Sequence, residues 1–181
     1  LNDDLVSGPM VYIANYWNEK SSLDVTVFSN CDEVALYLNN ELVGKQKPSL
    51  TEFSEELPHP PFVFKIPSFQ KGTLRAEGFL DGKKVSEHVV KSAEQASSIQ
   101  LTFDESNVKI NPEFPDVVFI YASIMDANGT IVSDATNSVE FSIEGENAEL
   151  IGQNPIAAEA GIATILLRTK NFKKSIKIIA K

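Results

Sequence analysis

Cysteine, histidine and tryptophan are scarce in this sequence of 181 residues, which contains one cysteine, two histidines and one tryptophan. A single cysteine, Cys31, cannot form an internal disulfide bond, so it indicates nothing about the redox compartment. We expect Cys31 to pack as a small, buried apolar side chain. One cysteine and two histidines also fall short of the clustered ligands that a zinc site needs. We therefore expect no metal ion and no cofactor.

The two histidines do not lie in a catalytic motif. His59 lies among prolines in a predicted loop and His88 lies in a strand pattern, and neither accompanies a recognisable nucleophile motif. We expect both to be structural or surface residues. The segment Asp126–Thr130 suggests calcium ligands, but it lacks a third acidic or amide ligand and the glutamate that ends a calcium loop, so it is predicted to be a hairpin turn.

Carboxylates suited to glycoside hydrolysis would have to be paired across a substrate. The candidates lie in predicted loops or at strand ends, where acidic side chains are normally solvated. They are Glu55, Glu56, Asp104, Glu105, Glu144 and Glu146. We expect all of them to lie on the surface, without a catalytic role.

Positive charge and long apolar runs are also in short supply. Lysine and arginine total 16 against 25 acidic residues, a formal net charge of -9. A phosphate-rich partner would repel such a chain, so we expect neither nucleic acid nor an anionic membrane as a partner. No apolar run approaches the roughly 18 residues that span a bilayer. The start, LNDDLVSGP, has no methionine and no signal peptide, which is typical of a fragment of a longer polypeptide.

Alternation of apolar and polar residues dominates the chain and predicts an all-β protein. Two tandem immunoglobulin-like β-sandwich domains are expected, at residues 1–94 and 95–181, with the boundary near Ala93–Ser97. Asn39-Asn40 and Asp81-Gly82 are predicted hairpin turns. The predicted strands are Met10–Tyr16, Leu23–Ser29, Glu33–Leu38, Glu41–Lys47, Phe62–Ile66, Thr73–Phe79, Lys84–Ser92, Ile99–Phe103, Val108–Ile110, Val117–Asp126, Thr130–Val132, Ser138–Glu144, Ala148–Ile151, Gly161–Arg168 and Ser175–Ala180.

An aromatic cluster is the one candidate for ligand binding. Tyr12, Tyr16 and Trp17 lie close together in the sequence, and Tyr37 could face the same way. Exposed aromatic rings stack on sugars, so these four residues are candidate carbohydrate contacts. The alternative is that Trp17 and its neighbours anchor the edge of a core or dock on another domain, because such rings bury a large area.

Several segments, in order, resemble the C-terminal region of glycoside hydrolase family 2 enzymes of the β-galactosidase-like branch. The segment leading out of the catalytic barrel in that family resembles GPMVYIANYW, although Tyr16 replaces a histidine that commonly stands there. The next domain resembles VTVFSNCDEVALYLNNELVGKQ and PPFVFKIPSFQKGTLRAEGFLDGKKVSEHVVKSA. A following bacterial immunoglobulin-like domain resembles SIQLTFDESNVKI and VVFIYASIMDANGTIVSDATNSVEFSIEGENAELIG, although residues 154–160 lack a longer loop often found there.

The resemblance implies a non-catalytic role. In that family the catalytic glutamates belong to an upstream TIM barrel, and no stretch of this chain matches their motifs. The expected partner of this segment is therefore the catalytic barrel of the same polypeptide. The segment would support that barrel, contribute to the rim of its active-site cleft, or form contacts between subunits. The resemblance also implies a periplasmic or extracellular bacterial location. Two alternatives stay open: a carbohydrate-binding module whose exposed aromatics contact a glycan, and a segment of an immunoglobulin-like adhesin.

Overall fold

The computed structural model describes residues 8–104, 110–111, 113–145, 147–170 and 175–181. Those residues form fifteen β-strands and no helix, so the predicted all-β fold class is confirmed. The chain divides into two compact units, of which the first ends at Ser92 and the second begins at Ala93. No helix in the described ranges is long and apolar enough to cross a membrane.

The first unit is a sandwich of two antiparallel sheets. One sheet has the order β1-β2-β5 and the other the order β4-β3-β6-β7. Its strands are β1 (Val11–Ile13), β2 (Asp24–Ser29), β3 (Glu33–Leu38), β4 (Glu41–Gln46), β5 (Phe62–Lys65), β6 (Thr73–Leu80) and β7 (Lys83–Lys91).

Alternation along these strands builds the core of the first unit. Val25 and Val27 of β2 face inward, as do Leu36 of β3 and Leu74 of β6, and all four are fully buried. Cys31 is buried beside this core, as predicted from its residue type. Because the inward positions of both sheets are apolar, each sheet buries one face against the other, and its second face is left for charged, polar or aromatic side chains.

Both predicted hairpin turns of the first unit are confirmed. Asn39 and Asn40 have φ values of 51° and 70°, and they join β3 to β4. Asp81 and Gly82 have φ values of 49° and 73°, and they join β6 to β7. Positive φ at both central residues gives the type I′ twist that matches the twist of the flanking strands.

The second unit also packs antiparallel strands around a single apolar cluster. A four-stranded sheet has the order β12-β14-β9-β8, and two two-stranded sheets pair β10 with β13 and β11 with β15. The strands are β8 (Ala96–Asp104), β9 (Val117–Asp126), β10 (Ser138–Val139), β11 (Phe141–Glu144), β12 (Ala148–Ile151), β13 (Ile156–Ala157), β14 (Ile162–Thr169) and β15 (Lys177–Ala180). Ile120, Ala122, Val139 and Ile165 are among the buried residues of its core.

Some strand predictions for the second unit were wrong. β8 begins at Ala96 rather than at the predicted Ile99, and Thr130–Val132 forms only an isolated bridge through Ile131 to Met125. The short strand β13 was not predicted. The predicted strand Val108–Ile110 lies, apart from Ile110, outside the described residues.

The turn at Asp126–Thr130 is held by the Asp126 carboxylate, which is buried. Its Oδ1 accepts hydrogen bonds from the main-chain N–H groups of Asn128 (2.9 Å) and Thr130 (2.8 Å). Its Oδ2 accepts a hydrogen bond from the N–H of Glu94 (2.8 Å). The hairpin-turn interpretation is confirmed, because the carboxylate organises the backbone of its own unit.

Candidate functional site

An exposed aromatic pair lies on the outer face of the three-stranded sheet. Tyr12 of β1 is directly opposite Phe28 of β2, and the two side chains are 52% and 47% exposed. The imidazole of His88 lies against Tyr12, with ring centroids 4.8 Å apart. Directly opposed residues on one face of a sheet are close enough for their rings to contact a common ligand.

Trp17 does not belong to this surface, which corrects the predicted group of sugar contacts. Its side chain is 1% exposed and is part of the core of the first unit. The indole Nε1–H donates a hydrogen bond of 2.9 Å to the carbonyl of Gln70, and the ring centroid lies 5.2 Å from that of Phe69. With its N–H paired and its ring covered, Trp17 offers no face for a sugar.

Tyr37 lies on the other sheet, so the expectation that it faces the same way as Tyr12 is wrong. It points outward from β3, and the Arg75 guanidinium lies 4.2 Å from the centre of its ring. Tyr16 is 58% exposed and lies just beyond β1. The four predicted aromatic residues are therefore divided between the core and two different surfaces, whereas the pair Tyr12–Phe28 comes together.

Strand alternation carries the signal that identifies Phe28. Phe28 occupies the opposite phase from Val25 and Val27, so it points away from the core that they fill. Trp17 lies beyond the end of β1, so strand alternation does not place its side chain. His88 carries no such signal, because its contact with Tyr12 joins residues far apart in the sequence.

A charged cluster surrounds Glu77 on the outer face of the four-stranded sheet. The Glu77 carboxylate accepts hydrogen bonds from Arg75 and from Lys84, the latter at 2.8 Å. Lys84 also bonds the carboxylate of Glu87 at 2.7 Å. The Glu77 side chain is only 11% exposed, whereas that of Glu87 is 49% exposed. The cluster thus fixes one well-shielded carboxylate between two cations.

Burial and hydrogen-bonded or charged partners have opposite effects on the pKa of Glu77, and the partners together have the larger effect. Burial favours the neutral acid and works to raise the pKa of Glu77. The hydrogen bond from Lys84, the charge of Arg75 and a hydrogen bond from Tyr37 favour the carboxylate, and together they hold the pKa below its usual range. The hydrogen bonds to Glu77 and Glu87 correspondingly raise the pKa of Lys84. A lowered pKa keeps Glu77 ionised, so it is suited to a structural ion pair rather than to general-acid catalysis.

A cleft of about 970 Å³ opens beside the long connection between β4 and β5. Several polar side chains in its wall are already bound within the unit. Asn30 accepts the N–H of Met10 (2.8 Å) and donates to the carbonyl of Gly8 (2.9 Å), while Asp32 accepts the N–H of Asp81 (3.1 Å). His59 also lines this cleft. The side chains of Asn30 and Asp32 are thus engaged in hydrogen bonds within the first unit.

The other carboxylate candidates lie on the surface. Glu144 pairs with Lys177 at 3.0 Å, and Glu55, Glu56 and Asp104 are exposed. Glu105 and Glu146 lie outside the described residues. Within the described ranges, no group of three or more His, Cys, Asp or Glu side chains is arranged to hold a metal ion.

Two protein-family models match the chain, one within each unit. Residues 20–86 match the model of a domain of unknown function, DUF4982, and residues 99–181 match the model of the glycoside hydrolase family 2 C-terminal domain 5.

Similar proteins are glycosidases much longer than this chain. The chain is 34% identical to a β-galactosidase of Thermoanaerobacter pseudethanolicus over 99% of its own length, and this match covers 25% of that protein. It is 26% identical to a β-glucuronidase of Formosa agariphila, of which it covers 18%. The chain therefore spans a quarter or less of the length of these relatives.

Solved structures of glycosidases also match this chain over only a small part of their own length. A β-glucuronidase from glycoside hydrolase family 2 matches 96% of the chain with a TM-score of 0.76 and 25% identity, and the match covers 19% of that protein. A β-glycosidase from Bacteroides vulgatus shares the fold with the same TM-score. The resemblance that the sequence motifs predict is thus confirmed: this chain is similar to the C-terminal accessory domains of glycoside hydrolase family 2 enzymes.

Proposed function

We propose that this chain is a non-catalytic accessory segment of a family 2 glycoside hydrolase, and that it supports the catalytic barrel of the same polypeptide. The observation that carries the proposal is the pattern of coverage. Nearly the whole chain matches a β-galactosidase, of which it accounts for only 25%. Three-quarters of that relative's length thus lies outside the match and is available for the catalytic machinery.

The chemistry of the described carboxylates supports this proposal. Retaining hydrolysis needs two carboxyl groups about 5–5.5 Å apart, one of which is an acid with a raised pKa. Glu77, the most shielded glutamate described, has a lowered pKa and lies in an ion-pair cluster. Glu144 and Glu149 are paired with Lys177 and Arg168 on the surface. This distribution favours a supporting domain over a hydrolytic centre.

Deletion in the parent polypeptide tests the proposal. An antibody raised against this chain should detect a polypeptide several times heavier than 19.9 kDa in the source organism. That polypeptide should hydrolyse a nitrophenyl β-galactoside or β-glucuronide, and the isolated chain should not. Removal of the segment should lower the melting temperature or the kcat/KM of the remainder. Hydrolysis by the isolated chain, or a native polypeptide near 19.9 kDa, would contradict the proposal.

A second candidate function, carbohydrate binding, is favoured by the exposed pair Tyr12–Phe28. Two opposed aromatic side chains with an adjacent imidazole could stack on a sugar ring. Retardation of the chain in gels that contain soluble polysaccharides would measure this binding. Substitution Phe28→Ala should abolish the retardation, whereas the same change at the exposed Phe119 of the second unit should not. Equal retardation of all three proteins would exclude this surface as the binding site.

A further inference from the structure

The connection between β4 and β5 presents apolar side chains to solvent. It comprises residues 47–61. Three large apolar residues within it, Leu50, Phe53 and Leu57, are 69%, 85% and 50% exposed. No other large hydrophobic residue in the described ranges is as exposed as Phe53. Several large apolar side chains exposed on one short connection commonly mark an interaction surface, because their exposure to water is unfavourable.

The apolar protrusion, residues 50–57, is built around a buried serine. The Ser54 side chain accepts the N–H of Thr51 (2.9 Å) and lies 3.2 Å from the carbonyl of Ser49, which accepts its hydroxyl hydrogen. Thr51 Oγ1 accepts the N–H of Phe53 (3.3 Å). The carbonyl of Thr51 accepts the N–H groups of Ser54 and Glu55, both at 3.0 Å. These hydrogen bonds define the backbone around Phe53.

The base of the connection is also fixed. The N–H of Ser49 donates to the carbonyl of Pro61 (2.8 Å), and the Ser49 hydroxyl accepts the N–H of Val63 on β5 (3.1 Å). Gln46 at the end of β4 donates to the carbonyl of Val63 (2.8 Å). The protrusion therefore starts from a closed neck, and binding through it would require little ordering of the loop. Low ordering cost is what makes a preformed surface an efficient contact.

Charge limits what can cover this protrusion. Glu52, Glu55 and Glu56 flank Phe53 and are all exposed, so the apolar side chains have an acidic surround. An anionic membrane or an acidic polysaccharide would be repelled. A complementary partner has an apolar recess bordered by lysine or arginine, because such a border pairs with the acidic residues as the recess takes up the ring.

We propose that the protrusion docks into an apolar recess with a basic border, on the part of the same polypeptide that lies outside this chain. The occupant is assigned from the length of chain available: the match with the β-galactosidase leaves three-quarters of that relative outside it. This inference rests on the proposed accessory function. It adds the surface, residues 50–57, through which the chain would contact and stabilise the rest of the polypeptide. A single deep contact by Phe53 would behave as a hot spot, with Leu50 and Leu57 around it.

Hydrogen exchange of residues 50–57, followed by mass spectrometry, tests the docking directly. The full-length polypeptide is compared with the isolated chain. We expect exchange in this segment to be at least tenfold slower in the full-length polypeptide, and the substitution F53D to remove that difference. The change F114D serves as the matched control, since Phe114 is a 64% exposed loop phenylalanine in the second unit. It should leave exchange at residues 50–57 unchanged. A higher salt concentration should speed exchange at residues 50–57 in the wild-type full-length polypeptide, because salt screens the attraction between the glutamates and the basic border.

The outcomes separate this inference from the proposed function. Equal exchange at residues 50–57 in both contexts would overturn the docking, even if the full-length polypeptide hydrolyses glycosides and needs the segment for stability. Protection that already occurs in the isolated chain, together with dimers that F53D dissociates, would identify a second copy as the occupant and would also overturn it. Slow exchange in a full-length polypeptide without glycosidase activity would retain the docking and reject the hydrolase assignment.

Discussion

His88 Nδ1 accepts a hydrogen bond from the main-chain N–H of Ile13 at 3.1 Å. The two residues belong to different sheets of the first unit: Ile13 lies on β1, at the edge of the three-stranded sheet, and His88 lies on β7, at the edge of the other. An edge strand leaves part of its backbone unpaired, and a side chain that covers it also discourages pairing with another chain. His88 thus joins the edges of the two sheets through a side-chain hydrogen bond.

The substitution His88→Ala should lower the stability of the first unit. It leaves the Ile13 N–H without its acceptor, which costs about 1–2 kcal/mol if water does not replace the imidazole. Urea unfolding followed by Trp17 fluorescence measures the change in the first unit alone, because Trp17 is the only tryptophan. The exposed histidine His59 provides the control, and His59→Ala should have a smaller effect. Equal midpoints for wild type and His88→Ala would show that the hydrogen bond does not contribute.

The Glu77 cluster should give the first unit a pH-dependent stability. Because the pKa of Glu77 is lower in the folded protein, its contribution is fully present above the unfolded-state pKa of about 4.3 and is lost as pH falls through the folded value. The substitution Glu77→Gln should destabilise the unit at pH 7, and the difference from wild type should shrink as the pH is lowered below about 4.3.

The control for this prediction is Glu87→Gln. Glu87 contacts the same lysine but is 49% exposed, so solvent weakens its ion pair. Unfolding midpoints at several pH values would distinguish the two variants. A difference between wild type and Glu77→Gln that does not change with pH would contradict the assignment of the lowered pKa to folding.

Trp17 should behave as a core residue in solution. Acrylamide should quench its fluorescence weakly in the folded chain and strongly in urea, because the side chain is 1% exposed. The substitution Trp17→Phe removes the N–H that bonds the Gln70 carbonyl and should cost about 1–3 kcal/mol for that unpaired group, before any loss of packing against Phe69. Strong quenching in the folded state would contradict this placement. Direct contact of a bound glycan with the indole ring, detected as a shift in Trp17 fluorescence, would also contradict it.

Local chemistry explains which features the sequence could predict. Asn39-Asn40 and Asp81-Gly82 adopt the predicted turns because positive φ depends mainly on the residues themselves. The strand β9 (Val117–Asp126) agrees with its prediction because a long apolar run between turn residues has few alternatives. β13, with two residues, is too short to show a period.

The features that the sequence could not predict depend on contacts between residues far apart in the chain. The hydrogen bond of Trp17 to Gln70 joins residues 53 positions apart, and that of His88 to Ile13 joins residues 75 apart. Neither partner can be identified from a local pattern. The protrusion at Phe53 carries no signal of this kind in the sequence, because its order comes from hydroxyl–backbone hydrogen bonds of Thr51 and Ser54 rather than from alternation.

Gly78 on β6 should not tolerate a side chain. A Cβ atom there would lie 2.5 Å from Val11 Cγ2 and 2.6 Å from Cys31 Sγ, both in the core of the first unit. The substitution Gly78→Ala should therefore overpack the core and cost about 1–3 kcal/mol. Gly44 on β4 is the matched control, because its Cβ would meet only Phe64 at an ordinary 3.7 Å. Its replacement by alanine should leave the stability unchanged or raise it slightly, since alanine restricts the unfolded chain more than glycine does.

Thermal unfolding followed by Trp17 fluorescence would compare the two glycine variants. A lower melting temperature for Gly78→Ala alone would show that Cys31 and Val11 close on β6 without free space. The double variant Gly78→Ala, Cys31→Ala removes the sulfur atom from the contact and should recover part of the loss, because the two sites share one packing interaction. Equal melting temperatures for both single variants would mean that the core around Cys31 can move to admit a methyl group.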